Sequence, residues 1–325
     1  MTQPDRDDPP PTTRHAPIVS IGSINLDHEV LDLPDEVVGT VVVGKALTTS
    51  GGKAANVAVL CAGLGADVRL IGSVGDDVLA EAALGGPRRA GLDLSSVQRV
   101  DAPTAMSTVL VRADGSKSIL LAPGANDAAA AATEVDAVLR AAPDDVVVVL
   151  DAEIAPATVS TALHWCGRRR LRLVLDPSPA DRIDDTAIAT AAHVTPDHLE
   201  ARELTGIDCS DEDGARAAAV ELVARGAGAA HVKLPEGGCV SATAQGSWAT
   251  RAPDDLDVVD TTGAGDAFAA GLAWAVAAGL DVRASAVRAV AASCCVVEAS
   301  GSQEAAPDPQ QLSEMVARVQ AASGG

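Results

Sequence analysis

From residue 125 onward, short apolar runs alternate with helix-compatible segments, and this alternation limits the possible folds more than any other feature. Residues 146–150, 171–175 and 230–234 are rich in Val, Leu and Ala and read as strands, and Val194 marks another. Between them, 127–141, 156–167, a stretch around 183–191 and 211–225 have helical spacing. Near-continuous apolar strands separated by helices imply a mainly parallel sheet with helices on both faces, a doubly wound α/β fold.

The first third of the chain departs from that pattern. Residues 18–21 form an apolar strand that ends at Gly22, and 68–71 read as another. A helix is expected after Gly51-Gly52, with Ala54, Val57, Ala58 and Cys61 along one face, and a second over 77–90. Short strands are expected at 29–33 and 41–43, broken by Pro34 and Gly39. Residues 108–112 and 117–121 flank Ala113-Asp114-Gly115-Ser116 and read as a hairpin. These more polar strands, from about 28–48 and 103–122, are expected to form a small β-sheet lid standing off the main body. No internal repeat or linker divides the chain, so one domain is expected over 17–325. Residues 1–16, rich in Pro and Asp, are expected to be a disordered tail without the apolar core of a signal peptide.

Composition narrows the function. Of 325 residues, 47% are hydrophobic, yet there is one Phe, three Trp and no Tyr, so the core must be built from Val, Leu, Ile and Ala. That argues against a surface of stacked rings for single-stranded nucleic acid. A formal charge of −21 repels nucleic acid and anionic lipid. No apolar run has the length of a membrane span. The six cysteines show no metal-ligand spacing and are expected to be reduced thiols in a cytoplasmic protein. His28, His164, His193 and His231 have no ligand spacing either and are expected to be structural or superficial. The Arg168-Arg169-Arg170 run reads as a solvated helix end.

Three segments fall where a doubly wound sheet binds ligands, beyond the carboxyl ends of its strands. After the first strand, alternation puts Asn25 and Asp27 on one side, which suits either polyol hydroxyls or an ordinary turn. Gly51-Gly52-Lys53-Ala54-Ala55-Asn56 opens a helix whose glycines let a ligand approach the backbone, or it simply starts that helix; it lacks the GxxxxGK[ST] pattern of a Walker A loop. Most specific is Asp260-Thr261-Thr262-Gly263-Ala264-Gly265-Asp266. Val258-Val259, read as a short strand, runs into this turn, and an apolar helix from Ala267 to about Ala278 follows. Bare N–H groups and the positive end of the helix dipole favour an anion there. Asp266 can accept a proton from an attacking hydroxyl while the N–H groups stabilise phosphoryl oxygens, or it can merely neutralise the helix start.

Taken together, these segments resemble the ribokinase-like (PfkB) sugar kinase family. Asp260–Asp266 is similar to its DTxGAGD signature, 51–56 to its GGKGAN signature, and Gly124-Ala125-Asn126 to a further family segment, in the same order from about Ile18 to Ala305. The resemblance implies transfer of the γ-phosphoryl group of ATP to a sugar, with ribose foremost and fructose, 2-keto-3-deoxygluconate or a nucleoside as alternatives. Nucleoside kinases of this fold grip the base with aromatic rings, and the expected lid has none. The resemblance implies Asp266 as base and the N–H groups of Gly263, Ala264 and Gly265 as anion hole. It implies Asn25, Asp27, Gly51, Gly52, Lys53, Asn56 and Asp151 around the sugar, with Asp151 standing where Glu is usual. It implies Asp197, Lys233, Glu236, Gly238 and Gly265 around ATP, and Glu200 organising Mg²⁺ through water. Asp197 stands in place of the usual Asn, and Pro235 where Gly is common. A monovalent cation, K⁺, would lie near Asp260, Thr262, Val296, Ala299, Gly301 and Ala305, the last without the usual hydroxyl. A homodimer through the lid is implied as well. A catalytically silent binding protein on this fold is the opposing reading, against which the intact glycine turn and Asp266 argue.

Overall fold

The computed structural model describes residues 15–33, 45–112 and 117–324. Residues 1–14, the expected strand at 41–43 and the 113–116 turn lie outside them. The first part contains β1 (Ile18–Ile21), β2 (Asn25–Leu33), β3 (Lys45–Gly51), α1 (Lys53–Gly63), β4 (Val68–Gly75), α2 (Val78–Ala83), α3 (Gly85–Arg89) and β5 (Val97–Val100). Then come β6 (Met106–Arg112), β7 (Lys117–Ala122), α4 (Ala130–Ala141), β8 (Val147–Leu150), α5 (Pro156–Arg169), β9 (Arg172–Leu175), α6 (Asp185–Thr190) and β10 (His193–Val194). The remainder is α7 (His198–Thr205), α8 (Glu212–Ala224), β11 (Ala229–Lys233), β12 (Cys239–Thr243), β13 (Gly246–Thr250), α9 (Ala264–Ala277), α10 (Val282–Val297) and α11 (Pro309–Ser323).

One sheet runs β13-β12-β11-β10-β9-β8-β1-β4-β5. It is parallel from β11 to β5, with β12 and β13 added antiparallel at one edge. Burial on both faces explains the unbroken apolar runs: all four residues of β8 are buried, and alternate side chains go to opposite layers. Val148, Leu150, Leu173 and Leu175 pack with residues of α4, α5 and α8. Val147, Val149 and Val174 pack with α1, α9, α10 and α11. α9 is apolar on nearly every side and sits at the centre of its layer, where Ala and Gly let its neighbours approach: a Cβ on Gly271 would lie 2.7 Å from Ala292 Cβ.

A separate sheet, β3-β2-β6-β7, supplies the expected lid. β2 pairs antiparallel with β3 and parallel with β6, so Asn25 lies opposite Gly51 and Asp27 beside Ser107.

Several expectations need correction. Val258 and Val259 form no strand; both are exposed, and Val259 N instead donates to Val297 O (2.8 Å) at the end of α10. The 77–90 helix breaks at Leu84 into α2 and α3, where Gly86 N donates to Ser50 Oγ (2.7 Å) and leaves no room for a side chain against Gln303. The 127–141 helix starts at Ala130, after a 3₁₀ turn over Gly124–Asp127. α9 starts at Ala264, three residues ahead of its expected start. Arg169 is not a solvated end: its guanidinium bridges Leu139 O and Ala142 O (both 2.8 Å), clamping α5 to the end of α4.

His193 and His231 also gain a definite role, in a buried chain from His193 Nδ1 to His231 Nε2 (3.0 Å) and His231 Nδ1 to Ser241 Oγ (2.8 Å) across β10, β11 and β12. Burial, with Arg172 nearby, lowers His193 to about 4, and burial with His193 beside it pushes His231 well below its ordinary value. Both rings are thus neutral when folded, whereas the unfolded chain takes up protons near pH 6.5. Stability should fall as pH drops from about 6.5 toward 4. His193→Gln should flatten that fall in urea midpoints over the same window; an unchanged slope would show that the pair is not its source.

Candidate active site

The site lies beyond the carboxyl ends of β1, β8, β9 and β11, where α1 and α9 begin. Asp151, just after β8, is buried, and both its oxygens are engaged: Oδ2 accepts from Ser23 N (3.0 Å) and Oδ1 from Glu153 N (2.9 Å). A Cβ on Gly22 would fall 1.8 Å from Asp151 Oδ2, so glycine is required by this close approach. Ser23 Oγ donates to Glu153 Oε2 (3.2 Å) and accepts from Lys53 N (3.0 Å), carrying the connection to the start of α1.

Gly52, at φ 93°, turns the chain into α1 in the left-handed region, and a side chain there would strike the Ser23–Asn25 backbone. This turn places Lys53 Nζ 3.4 Å from Asp176 Oδ2 and 3.8 Å from Asp266 Oδ1. Burial opposes the charge of Lys53, but Asp176, Asp266, Glu153 and Glu200 outweigh it and hold the ammonium well above its ordinary value. Asn56 donates from Nδ2 to Asp266 Oδ2 (2.7 Å) and accepts at Oδ1 from Gln303 Nε2 (2.8 Å). Burial raises the Asp266 carboxyl, while Lys53 and Asn56 oppose that rise.

The lid contributes its own face. Asn25 Oδ1 accepts from Asn126 Nδ2 (2.8 Å), and Asn126 Oδ1 in turn accepts from Ile24 N (3.2 Å). Asp27 Oδ1 accepts from Ser107 Oγ (2.5 Å), and the carboxylate sits against Gly51, where a Cβ would lie 1.8 Å from Oδ2. Burial raises Asp27 to about 6; Ser107 lowers it, and the negative field of Asp266 adds to the rise.

On the opposite flank, Gly263 is the left-handed N-cap of α9 and packs on Ser302. Ala264 N donates to Thr261 O (3.3 Å), and Lys233 Nζ lies 3.3 Å from where a Cβ on Gly265 would be. A cation therefore overhangs a helix start whose first N–H groups have no partner inside the helix. Asp197 and Glu200 form the capping box of α7, with Asp197 N donating to Glu200 Oε2 (2.8 Å) and Glu200 N to Asp197 Oδ1 (2.8 Å). Gly238 closes the β11–β12 turn by accepting at O from Leu234 N (3.1 Å), with exposed Glu236 at its tip. Asp260 links two loops, accepting from Thr262 N (2.9 Å) at Oδ1 and from Gly301 N (3.4 Å) at Oδ2. Ala299 and Ala305 line a cavity of about 380 Å³ between α10 and α11, while Val296 is buried in α10.

Glu153, Asp176, Ser107 and Gln303 belong to this site but lie outside the sequence motifs. Position alone could have flagged Asp176, which directly follows the apolar strand β9.

The arrangement suits phosphoryl transfer: a carboxylate in the first turn of a helix, a glycine turn and an overhanging lysine lie beside a polar pocket under the small sheet. The chain belongs to the pfkB family of carbohydrate kinases, whose model matches residues 16–309. It is 31% identical over 306 residues to the ribokinase of Bacillus subtilis, covering 91% of this chain and 98% of that one. It is 30% identical over 272 residues to a deoxyribokinase of Salmonella typhi, covering 81% and 86%. Its fold matches that of Arabidopsis thaliana ribokinase complexed with ribose and ATP, with a TM-score of 0.80, 25% identity, and coverage of 93% and 99%. The protein is thus an ATP-dependent sugar kinase, and no helix among its described residues is long and apolar enough to cross a membrane.

The raised Asp27 carboxyl has a cost. The folded state binds a proton more tightly between pH 3.8 and about 6, so its contribution to stability is lost as pH rises through that range. Asp27→Asn should therefore stabilise the protein at pH 7.5, by about 1–2 kcal/mol, and have little effect near pH 4. Equal urea midpoints for wild type and variant at pH 7.5 would contradict this.

Proposed function

We propose that the protein phosphorylates ribose with the γ-phosphoryl group of ATP. The observation that carries this reading is the position of Asp266, in the first turn of α9, hydrogen-bonded to Asn56 and close to Lys53. The sugar lies over Asn25, Asp27, Gly51, Gly52, Lys53 and Asn56, its reacting hydroxyl directed at Asp266. Asp151 acts by fixing the Gly22–Ser23 turn. Asp266 takes the hydroxyl proton as the oxygen attacks, and the Gly263–Gly265 backbone with Lys233 receives the charge on the transferring group. Two relatives named for ribose and deoxyribose support a pentose acceptor.

ATP lies along Lys233, Glu236, Gly238 and Asp197. Glu200 suits Mg²⁺, which prefers oxygen donors and keeps several waters: one of its oxygens is fixed by the capping box and its carboxyl faces Asp176, Lys233 and Lys53. Bound there, the ion would neutralise phosphate charge. The loops joined by Asp260 form the cradle for K⁺, from Asp260, Thr262, Val296, Ala299, Gly301 and Ala305. Such an ATP-consuming enzyme works in the cytoplasm.

The lid also supports a homodimer. β7 is an edge strand on which Ile119 and Leu120 are 67% and 61% exposed. Unpaired edges with apolar side chains favour pairing with a second copy. Leu120→Lys should shift the protein toward monomer in sedimentation velocity, and an unchanged distribution would count against the lid interface.

The function itself is tested by ADP release with a sugar panel, with and without K⁺. Ribose should give the highest kcat/KM, and Asp266→Asn should lower kcat by roughly 10²–10⁴-fold while ATP binding is kept. A variant with near wild-type kcat would refute the base assignment. No stimulation by any sugar would refute the enzymatic reading.

A further inference from the structure

Three consecutive residues after α10 each touch a different part of the site. Gly301 N donates to Asp260 Oδ2 (3.4 Å), Ser302 packs on Gly263, and Gln303 Nε2 donates to Asn56 Oδ1 (2.8 Å). Gln303 is 5% exposed and has no assigned part. The ionised Asp266 carboxylate can only accept, so Asn56 must present Nδ2 to it (2.7 Å) and turn Oδ1 the other way. There Gln303 meets Oδ1 with its donor end, while Ser302 Oγ stands farther off at 3.4 Å. The other end of the Gln303 amide gains nothing in return. Its Oε1 is buried with no hydrogen-bond partner among the described residues, against Gly86, where a Cβ would fall 1.6 Å away. An unpaired buried acceptor lowers stability, so packing alone would be served better by an apolar side chain. What the amide supplies is a donor aimed at Asn56.

We infer that Gln303 is a positioning residue that fixes the amide orientation of Asn56 and, through it, the carboxylate of Asp266. This rests on the reading of Asp266 as the base. An Asn56 amide turned over would set Oδ1 against Asp266 Oδ2, replacing a hydrogen bond by repulsion between two acceptors. With Nδ2 in place, Oδ2 is occupied, and Oδ1, 3.8 Å from Lys53 Nζ, is left to take the hydroxyl proton. The charges facing Asp266 are Lys53 from α1, Lys233 from β11, Asp176 after β9, Glu153 after β8 and Asp27 from β2. Burial raises the Asp266 carboxyl, and Asn56 is the neutral group that opposes that rise together with the two lysines. Loss of the Asn56 donor therefore moves upward the pH at which Asp266 becomes ionised.

The test uses the full chain and, at saturating concentration, the sugar giving the highest kcat/KM in the ADP-release panel. Gln303→Met keeps the length of the side chain but has no donor. In Gln303→Glu an ionised carboxylate draws Nδ2 of Asn56 away from Asp266. Gln303→Met should lower kcat about 10-fold and move the acid limb of its pH profile up by about one unit. Gln303→Glu should exceed both changes. The urea midpoint of Gln303→Met and its KM for ATP should stay near wild type, because the substitution also removes the unpaired Oε1. Identical kcat profiles for wild type and both variants would overturn the inference. So would a Gln303→Met variant that loses activity together with stability while its acid limb stays in place, since that marks a merely structural role. If no sugar stimulates wild type, or if Asp266→Asn keeps near wild-type kcat, the proposed function or its base assignment fails and this inference fails with it. If Asp266→Asn is inactive and the Gln303 variants match wild type, only this inference fails.

Discussion

The hydrogen bond from Asn56 to Asp266 joins the starts of α1 and α9, and the rest of the site is organised around it. Asn56 is held by Gln303, and Asp266 is met by Lys53, so one contact aligns the start of α1, the carboxylate proposed as base and the loop after α10. Both helices reach this point because they share one face of the sheet, packed through Val57, Leu60, Ala270 and Ala273. The abundance of alanine in α9 allows that approach. Larger side chains would hold the helices apart and pull the carboxylate away from the pocket.

Electrostatics explains why the site tolerates so many acids. Lys53 stands among Asp176, Asp266, Glu153 and Glu200, and each of these carboxyls loses hydration as it is buried. The lysine recovers part of that loss for all of them at once. Its own amide is tied to Ser23, so its position is set by the backbone as much as by charge. The chain's large negative charge thus has a local counterpart in a pocket where Lys53, with Lys233 beside it, orders several anions.

Much of this was legible in the sequence. The parallel sheet could be read because strands buried on both faces must be apolar throughout, as β8 is. The family could be read from the 51–56 and 260–266 segments, and the structure brings the two together through Asn56 and Asp266. What escaped depends on long-range packing. α10 and α11 follow the Gly-rich turn and α9 without a strand between them, so the sheet pattern did not reveal them. Val258-Val259 looked like a strand because local composition cannot show that no strand lies beside it. Glu153 carries no spacing signal and Asp176 only its position after β9; both are tied to Lys53, which the fold brings to Asp176 from 123 residues earlier in the chain. The Asp197–Glu200 motif was read for metal chemistry, and the structure adds a capping box in the same four residues.

The separation of Asn56 and Asp266 by 210 residues also bears on how the protein is made. During synthesis, α1 emerges long before α9, and the sheet layer that α9 covers stays open until the last quarter of the chain has left the ribosome. Until then Lys53 and its acids have no closing partner, and the central strands expose one apolar face. The Asn56–Asp266 contact is therefore formed late, and chains lacking α9 would display both an uncovered apolar layer and an incomplete pocket.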